Sequence, residues 1–133
     1  MVLVDSSVWI ALLRENDNAQ VKALRGLLGV DQAALAPPIL QEILQGASSA
    51  AHFNRLREYF STQPLLVSMR PIGSHEAAAK LYARCRWSGV TPRNGYDCLI
   101  AQTAIEHEVD LLADDRDYVA MARIEPRLRL YAH

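Results

Sequence analysis

The run Val2-Leu3-Val4-Asp5-Ser6-Ser7-Val8-Trp9-Ile10 decides the fold class. Val2 to Val4 is a short apolar segment rich in β-branching, which reads as a strand. Asp5 ends it, and Ser6 and Ser7 offer an N-cap for a short apolar helix from Val8 to Arg14. The same alternation of strand and helix repeats down the chain. Val21, Leu24 and Leu28 mark an amphipathic helix across 18–28, and Ala33 to Ala36 reads as a second strand. Pro37 and Pro38 suit the first turn of a helix through Leu44 that Gly46 weakens or ends.

Phe53, Leu56 and Phe60 place a helix at 49–61, and Leu65 to Val67, bounded by prolines, reads as a third strand. A helix follows at 74–87, stopped by Gly89. Asn94 caps a helix from Gly95 to His107 that is apolar on several sides and therefore central. Val109 to Ala113 is a fourth strand and 117–123 a short helix. Leu128 and Leu130, alternating with Arg127 and Arg129, predict a one-sided edge strand. Strands alternating with helices imply a mostly parallel central sheet with helices on both faces.

The 133 residues show no repeat, linker or low-complexity tract, so 1–133 reads as one domain. At 14.8 kDa the folded chain should expose roughly 7,000 Å² against about 21,000 Å² unfolded, enough burial for one core. Fourteen Lys and Arg against fifteen Asp and Glu give a net charge of −1, which speaks against a general nucleic-acid coating protein. Cys85 and Cys98 form no metal or disulfide motif and read as core residues. No stretch predicts a membrane span or a signal peptide.

In open α/β sheets, function gathers beyond the carboxyl ends of the strands. Asp5 follows the first strand, and Asp114, Asp115 and Asp117 follow the fourth. Glu42 and Asp97 lie on helices that begin near that edge, each flanked by apolar residues. Each acid has an ordinary structural role open to it: Asp5 as a cap, Asp97 as part of a capping box, Glu42 as an Arg partner, and 114–117 as a solvated turn. Four carboxylates at ~5 Å spacing and an effective dielectric near 20 repel by about 3 kcal/mol per pair. A shared cation relieves that repulsion, and an all-oxygen set suits Mg²⁺ or Mn²⁺. The chemistry implied is phosphodiester hydrolysis.

The stretches V-D-S-S-V-W-I at 4–10, Q-E-I-L-Q-G at 41–46, R-N-G-Y-D-C-L-I-A at 93–101 and D-L-L-A-D-D-R-D-Y at 110–118 occur in an order that resembles the PIN-domain ribonucleases. The resemblance is greatest to the VapC toxins of bacterial toxin–antitoxin pairs. It implies a PIN-like three-layer α/β sandwich. It also implies a cytoplasmic, homodimeric Mg²⁺- or Mn²⁺-dependent endoribonuclease, inhibited by a VapB-like antitoxin. The family's catalytic and metal-holding acids fall on Asp5, Glu42, Asp97 and Asp115, with Asp117 as the further acid for a second metal. Ser7 matches a small hydroxyl residue that lines the pocket. The family usually has Thr where this chain has Ala113, and often Phe where it has Tyr118. The missing hydroxyl leaves open how Asp115 is oriented and whether Asp114 substitutes for it.

RNA contacts are expected from Arg93 and Arg116 beside the acids, then from Arg84 and Arg86. The four histidines are scattered and read as solvated. A haloacid-dehalogenase-like phosphatase would need an acid at position 7, which is Ser. A PIN-fold binding module without activity is the remaining alternative.

Overall fold

A computed structural model describes all residues, 1–133. The first strand, β1 (Val2–Val4), lies between β2 (Ala33–Ala34) and β3 (Asp110–Leu112), and both pairings are parallel. Val2, Leu3 and Val4 are all buried, as a central strand covered on both faces requires. Seven helices complete the chain: α1 (Ser6–Leu13), α2 (Ala19–Gly29), α3 (Pro37–Gln45), α4 (Ala50–Phe60), α5 (Pro71–Trp87), α6 (Gly95–Glu106) and α7 (Arg116–Ile124). Helix α1 packs on α2 and α3, α3 packs on α4, and α5 packs on α6 and α7. Right-handed crossovers place these two groups on opposite faces of the sheet, giving three layers. The exposed surface is 7627 Å², close to that expected from chain mass.

Two expected strands are each reduced to a single bridge. Leu65 pairs in parallel with Leu35, and Leu130 with Leu111. The Leu65–Val67 segment leaves Leu65 and Val67 about half exposed, at 47% and 51%, so it has little apolar contact to hold a longer ladder. At the other edge Leu128 is buried, while Arg129 donates from Nε to Asp110 Oδ1 at 3.0 Å. α5 begins at Pro71, three residues before the expected start, because the proline occupies the first turn instead of ending a strand. Gly89 ends that helix with φ +83, a left-handed conformation that glycine adopts without strain. Glu15, Asp31 and Glu108 adopt the same conformation after α1, α2 and α6 without being glycine.

The core joins both helical layers to the sheet. Trp9 is fully buried. Its Nε1 donates to Val4 O at 3.0 Å, and its ring meets the Phe60 ring edge-on at 5.3 Å. One side chain therefore fastens the end of β1 to α1 and α4. Residues 98–104 of α6 are all buried, which confirms its central position. Cys85 and Cys98 are buried free thiols, and burial pushes Cys98 up to about 12. Val21 and Leu24 are core residues as expected, Leu28 is half-buried, and Phe53 keeps 38% of its surface exposed.

Glu125 closes α7 and is buried. It accepts from Arg127 N at 3.0 Å, Nε at 3.1 Å and Nη2 at 3.0 Å, and from Arg84 Nη1 at 3.0 Å. The Arg127 fork, with Arg84 behind it, holds the carboxyl down at about 2. Arg84, expected among the RNA contacts, is instead committed to this internal pair and to Ile124 O at 2.8 Å.

This packing sets two expectations for stability. Trp9→Ala should lose about 3–5 kcal/mol in urea unfolding, the range for emptying a large aromatic site. Glu125 is held below its unfolded value of 4.5, so its contribution is present above about pH 4.5 and is lost as pH falls toward 2. Unfolding between pH 6 and 2.5 should show wild type losing about 2 kcal/mol more than Glu125→Gln, after allowance for the exposed arginines.

Candidate metal centre

The carboxyl ends of β1 and β3 lie side by side, and Asp5 N donates to Leu112 O at 2.9 Å. This ladder bond fixes the backbone of Asp5 just past the sheet. Asp5 itself is the N-cap of α1, in place of the Ser6 or Ser7 cap that the sequence suggests. Its Oδ2 accepts from Ser7 N at 3.2 Å and from Ser7 Oγ at 2.7 Å. Ser7 thus orients the acid instead of capping the helix, and its Oγ also accepts from Asp114 N at 3.4 Å.

Asp97 enters from the first turn of α6. Asn94 alone caps that helix, through Oδ1 and Tyr96 N at 2.9 Å, so the Asp97 carboxylate is left free for the site. Asp115 caps α7 and accepts from Asp117 N at 2.9 Å. This cap orients Asp115 although Ala113 supplies no hydroxyl. Ligand oxygens of Asp97, Asp115 and Asp117 all lie within 4.8 Å of one another. Asp114 is exposed and outside that group, so Asp115 and Asp117 are the acids that the β3–α7 turn contributes.

Asp5 joins the three acids through Tyr118. The Tyr118 hydroxyl lies 3.0 Å from Asp5 Oδ1 and 3.2 Å from Asp97 Oδ1. Sequence reasoning treats this residue only as a mild exchange for Phe. The available signal was a phenol on an inward-facing position three residues after Asp115. Burial, with Asp5 and Asp97 beside it, holds the phenol well above its ordinary range, so it stays protonated.

Glu42 stands apart from this compact group. It is exposed on α3, where Ile39 and Ile43 point inward, and its Oε2 accepts from Ser6 Oγ at 2.8 Å. The apolar flanks do not bury it, and its partner is Ser6 in place of an Arg. Glu42 lines a polar cleft of about 210 Å³ with Gln41, Gln45, Asn94 and Tyr96. The larger groove, about 570 Å³, runs between α5 and α6 past His75, Ala78 and Tyr82 and contains none of the acids.

Asp97 is pushed up to about 6, first by burial and then by the charges of Asp5 and Asp115. Arg93 offsets part of the remaining charge. Its Nη2 donates to Asp115 Oδ1 at 2.8 Å, and its Nε and backbone N donate to Asp117 Oδ2 at 3.2 and 3.1 Å. These two carboxylates hold the guanidinium above its ordinary range. Arg116 is exposed beside them.

Three oxygens up to 4.8 Å apart surround a point no more than about 2.8 Å from each, so closing by a few tenths of an ångström brings all three within reach of a hard divalent cation. Mg²⁺, at about 2.1 Å, requires the side chains to close by up to roughly 0.7 Å. The donor set of hard carboxylate oxygens, with no thiol or imidazole, fits the same ions.

Comparison with known proteins agrees with this architecture. The family described as "PIN domain" matches residues 2–124. The VapC ribonuclease Mb1587 of Mycobacterium bovis is 33% identical over 126 residues, 93% of each chain. Ribonuclease VapC11 of Mycobacterium tuberculosis matches to the same extent. Among solved structures, VapBC2 from Rickettsia felis, bound to a promoter DNA fragment, superposes with a TM-score of 0.73 at 18% identity, covering 98% of each chain. FitAcB from Neisseria gonorrhoeae superposes at 0.69 and 18% identity, over 99% of this chain and 97% of the other. By its family match and its full-length relatives, the chain belongs to the PIN-domain family, in its VapC ribonuclease group.

Proposed function

We infer that this chain is a VapC-type endoribonuclease toxin that hydrolyses RNA phosphodiester bonds with Mg²⁺ or Mn²⁺. The observation that carries the reading is the convergence of Asp97, Asp115 and Asp117 within 4.8 Å, with Asp5 joined to Asp97 through Tyr118. Asp97, Asp115 and Asp117 would hold the cation, with Asp5 beside them. When bound there, the cation orients a water and neutralises charge on a phosphoryl group.

The chain's own residues supply positioning. Ser7 and Tyr118 fix both oxygens of Asp5. Ser6 fixes Glu42 at the rim, where its free oxygen can accept a hydrogen bond from a water and align it with the scissile bond. Arg93, whose side chain is 72% exposed, is free to turn from Asp115 and Asp117 to an RNA phosphate, and Arg116 lies beside it. Neither Ser6 nor Ser7 has a histidine partner among its hydrogen bonds, which favours direct hydrolysis over a serine nucleophile.

The relatives extend the reading to partners. The solved neighbours include a toxin–antitoxin complex from Klebsiella pneumoniae, with a TM-score of 0.69 at 19% identity. We therefore assign this chain a VapB-like antitoxin; the family resemblance adds a homodimeric state and a cytoplasmic site of action to the proposal. No helix is long and apolar enough to cross a membrane.

Purified protein with structured RNA should cleave in Mn²⁺ or Mg²⁺ and stop in EDTA. Asp5→Asn and Asp97→Asn should each lower kcat by about 100-fold or more. Cleavage that survives EDTA or either substitution removes the metal-nuclease reading. No cleavage at all, with tight binding to a neighbouring-gene product, supports the binding module instead.

The site should also respond to pH. Metal binding requires the Asp97 carboxylate, so Mn²⁺ affinity measured by calorimetry should rise as pH passes through about 6. In EDTA the sign reverses. Asp97 sits above its unfolded value of 3.8, so its contribution to stability is present below pH 3.8 and is lost as pH rises through 6. Between pH 5 and 8 the metal-free wild type should lose about 1–2 kcal/mol that Asp97→Asn retains. Equal losses in both proteins would refute this assignment.

A further inference from the structure

Tyr118 is among the largest fully buried side chains, at 1% exposure, and its polar atom points into the acid group. The hydroxyl contacts Asp5 Oδ1 at 3.0 Å and Asp97 Oδ1 at 3.2 Å. These acids lie 92 positions apart along the chain, one after β1 and one at the start of α6. A phenol has one hydrogen to donate, so the two carboxylates share it. The other oxygen of Asp5 is occupied by Ser7, whereas Asp97 Oδ2 has no hydrogen-bond partner within the chain. A ring locked in the core thus sets the direction of two site carboxylates from behind and leaves the front of Asp97 open.

We propose that Tyr118 is a positioning residue of the metal centre, its hydroxyl holding Asp5 and Asp97 together so that a divalent cation meets a pair already in place. The proposal rests on the metal reading above and assigns the hydroxyl a role within it. Without the hydroxyl, the two acids lose their shared donor and are free to turn apart under their mutual repulsion. The cation must then gather them as it binds, which weakens binding. RNA contacts, carried by exposed arginines on the other side of the acids, are untouched. The hydroxyl should therefore act on metal affinity and kcat and leave KM for RNA unchanged.

Tyr118→Phe removes one oxygen atom and keeps the ring in the core. In the full-length chain, Mn²⁺ affinity by calorimetry and by electron paramagnetic resonance of free Mn²⁺ should weaken about tenfold or more. kcat at subsaturating Mn²⁺ should fall in parallel, with KM for RNA unchanged. Near-ultraviolet circular dichroism and melting in EDTA verify that the variant is folded. Weakening by about threefold or more in the folded variant supports the proposal. A smaller change, or tighter binding, overturns it, since the hydroxyl would then only fill the core or compete with the ion. Loss through KM alone overturns it as well.

A measurement on unsubstituted chain covers the case of a variant that does not fold. Wild type labelled with 3-fluorotyrosine should show a solvent-protected ¹⁹F resonance that shifts on titration with Mg²⁺ at the midpoint found by calorimetry. A protected resonance indifferent to Mg²⁺ rejects the positioning role. Should wild type bind neither ion, the metal reading itself falls and takes this proposal with it. If wild type binds and Tyr118→Phe binds equally well, only the positioning role is lost.

Discussion

Carboxylates gathered to share one cation repel one another whenever the cation is absent, and the architecture around this site is shaped by that constraint. Two adjacent parallel strands deliver Asp5 and the 114–117 turn to the same end of the sheet. Two helix N-termini add Asp97 and Asp117 in their first turns, where the helix dipole favours negative charge. Hydroxyl donors then meet individual oxygens: Ser7 on Asp5, Ser6 on Glu42, and Tyr118 between Asp5 and Asp97. Arg93 spans Asp115 and Asp117 from the solvent side. Burial, and then the charge that these groups leave uncompensated, push the Asp97 carboxyl up to about 6.

Much of this was legible in the chain. The apolar run Val2–Val4 ending in Asp5, and the run Val109–Ala113 ending in the acidic turn, give parallel strands whose acids must share an edge. Asn94 and Ala50–Phe60 behave as local propensity requires. Less was legible where tertiary contact decides the outcome. Leu65 and Leu130 each keep one bridge because edge segments extend only as far as a buried face supports them. Glu42 has apolar neighbours in sequence, but on a helix neighbours in sequence do not share a face, and Ile39 and Ile43 take the inward positions.

Helix termini show the same division. Gly89 is identifiable from sequence because glycine adopts positive φ without strain. Glu15, Asp31 and Glu108 close helices in the same conformation, and no residue type announces it. Their geometry is imposed by the next element of the chain: α1 must turn toward α2, α2 into β2, and α6 into β3. Asp5 likewise takes the N-cap from Ser6 and Ser7 because the ladder bond to Leu112 fixes its backbone at the strand end.

The site is therefore rigid behind and open in front. Trp9, bonded to Val4 and packed on Phe60, anchors the strand that ends in Asp5, and Tyr118 and the buried length of α6 anchor the acids opposite. The groups facing solvent are long and rotatable, with Arg93 exposed over the acids and Glu42 on the rim of a polar cleft. A hard divalent ion demands carboxylates fixed to within a fraction of an ångström, whereas an RNA strand demands contacts that adjust to its path. Acids on strand ends and helix N-termini, with exposed arginines beside them, would meet both demands with one sheet edge. The same arrangement orients Asp115 without a hydroxyl at position 113. Asp115 takes its orientation from capping α7, a backbone device that needs no hydroxyl at the preceding strand end.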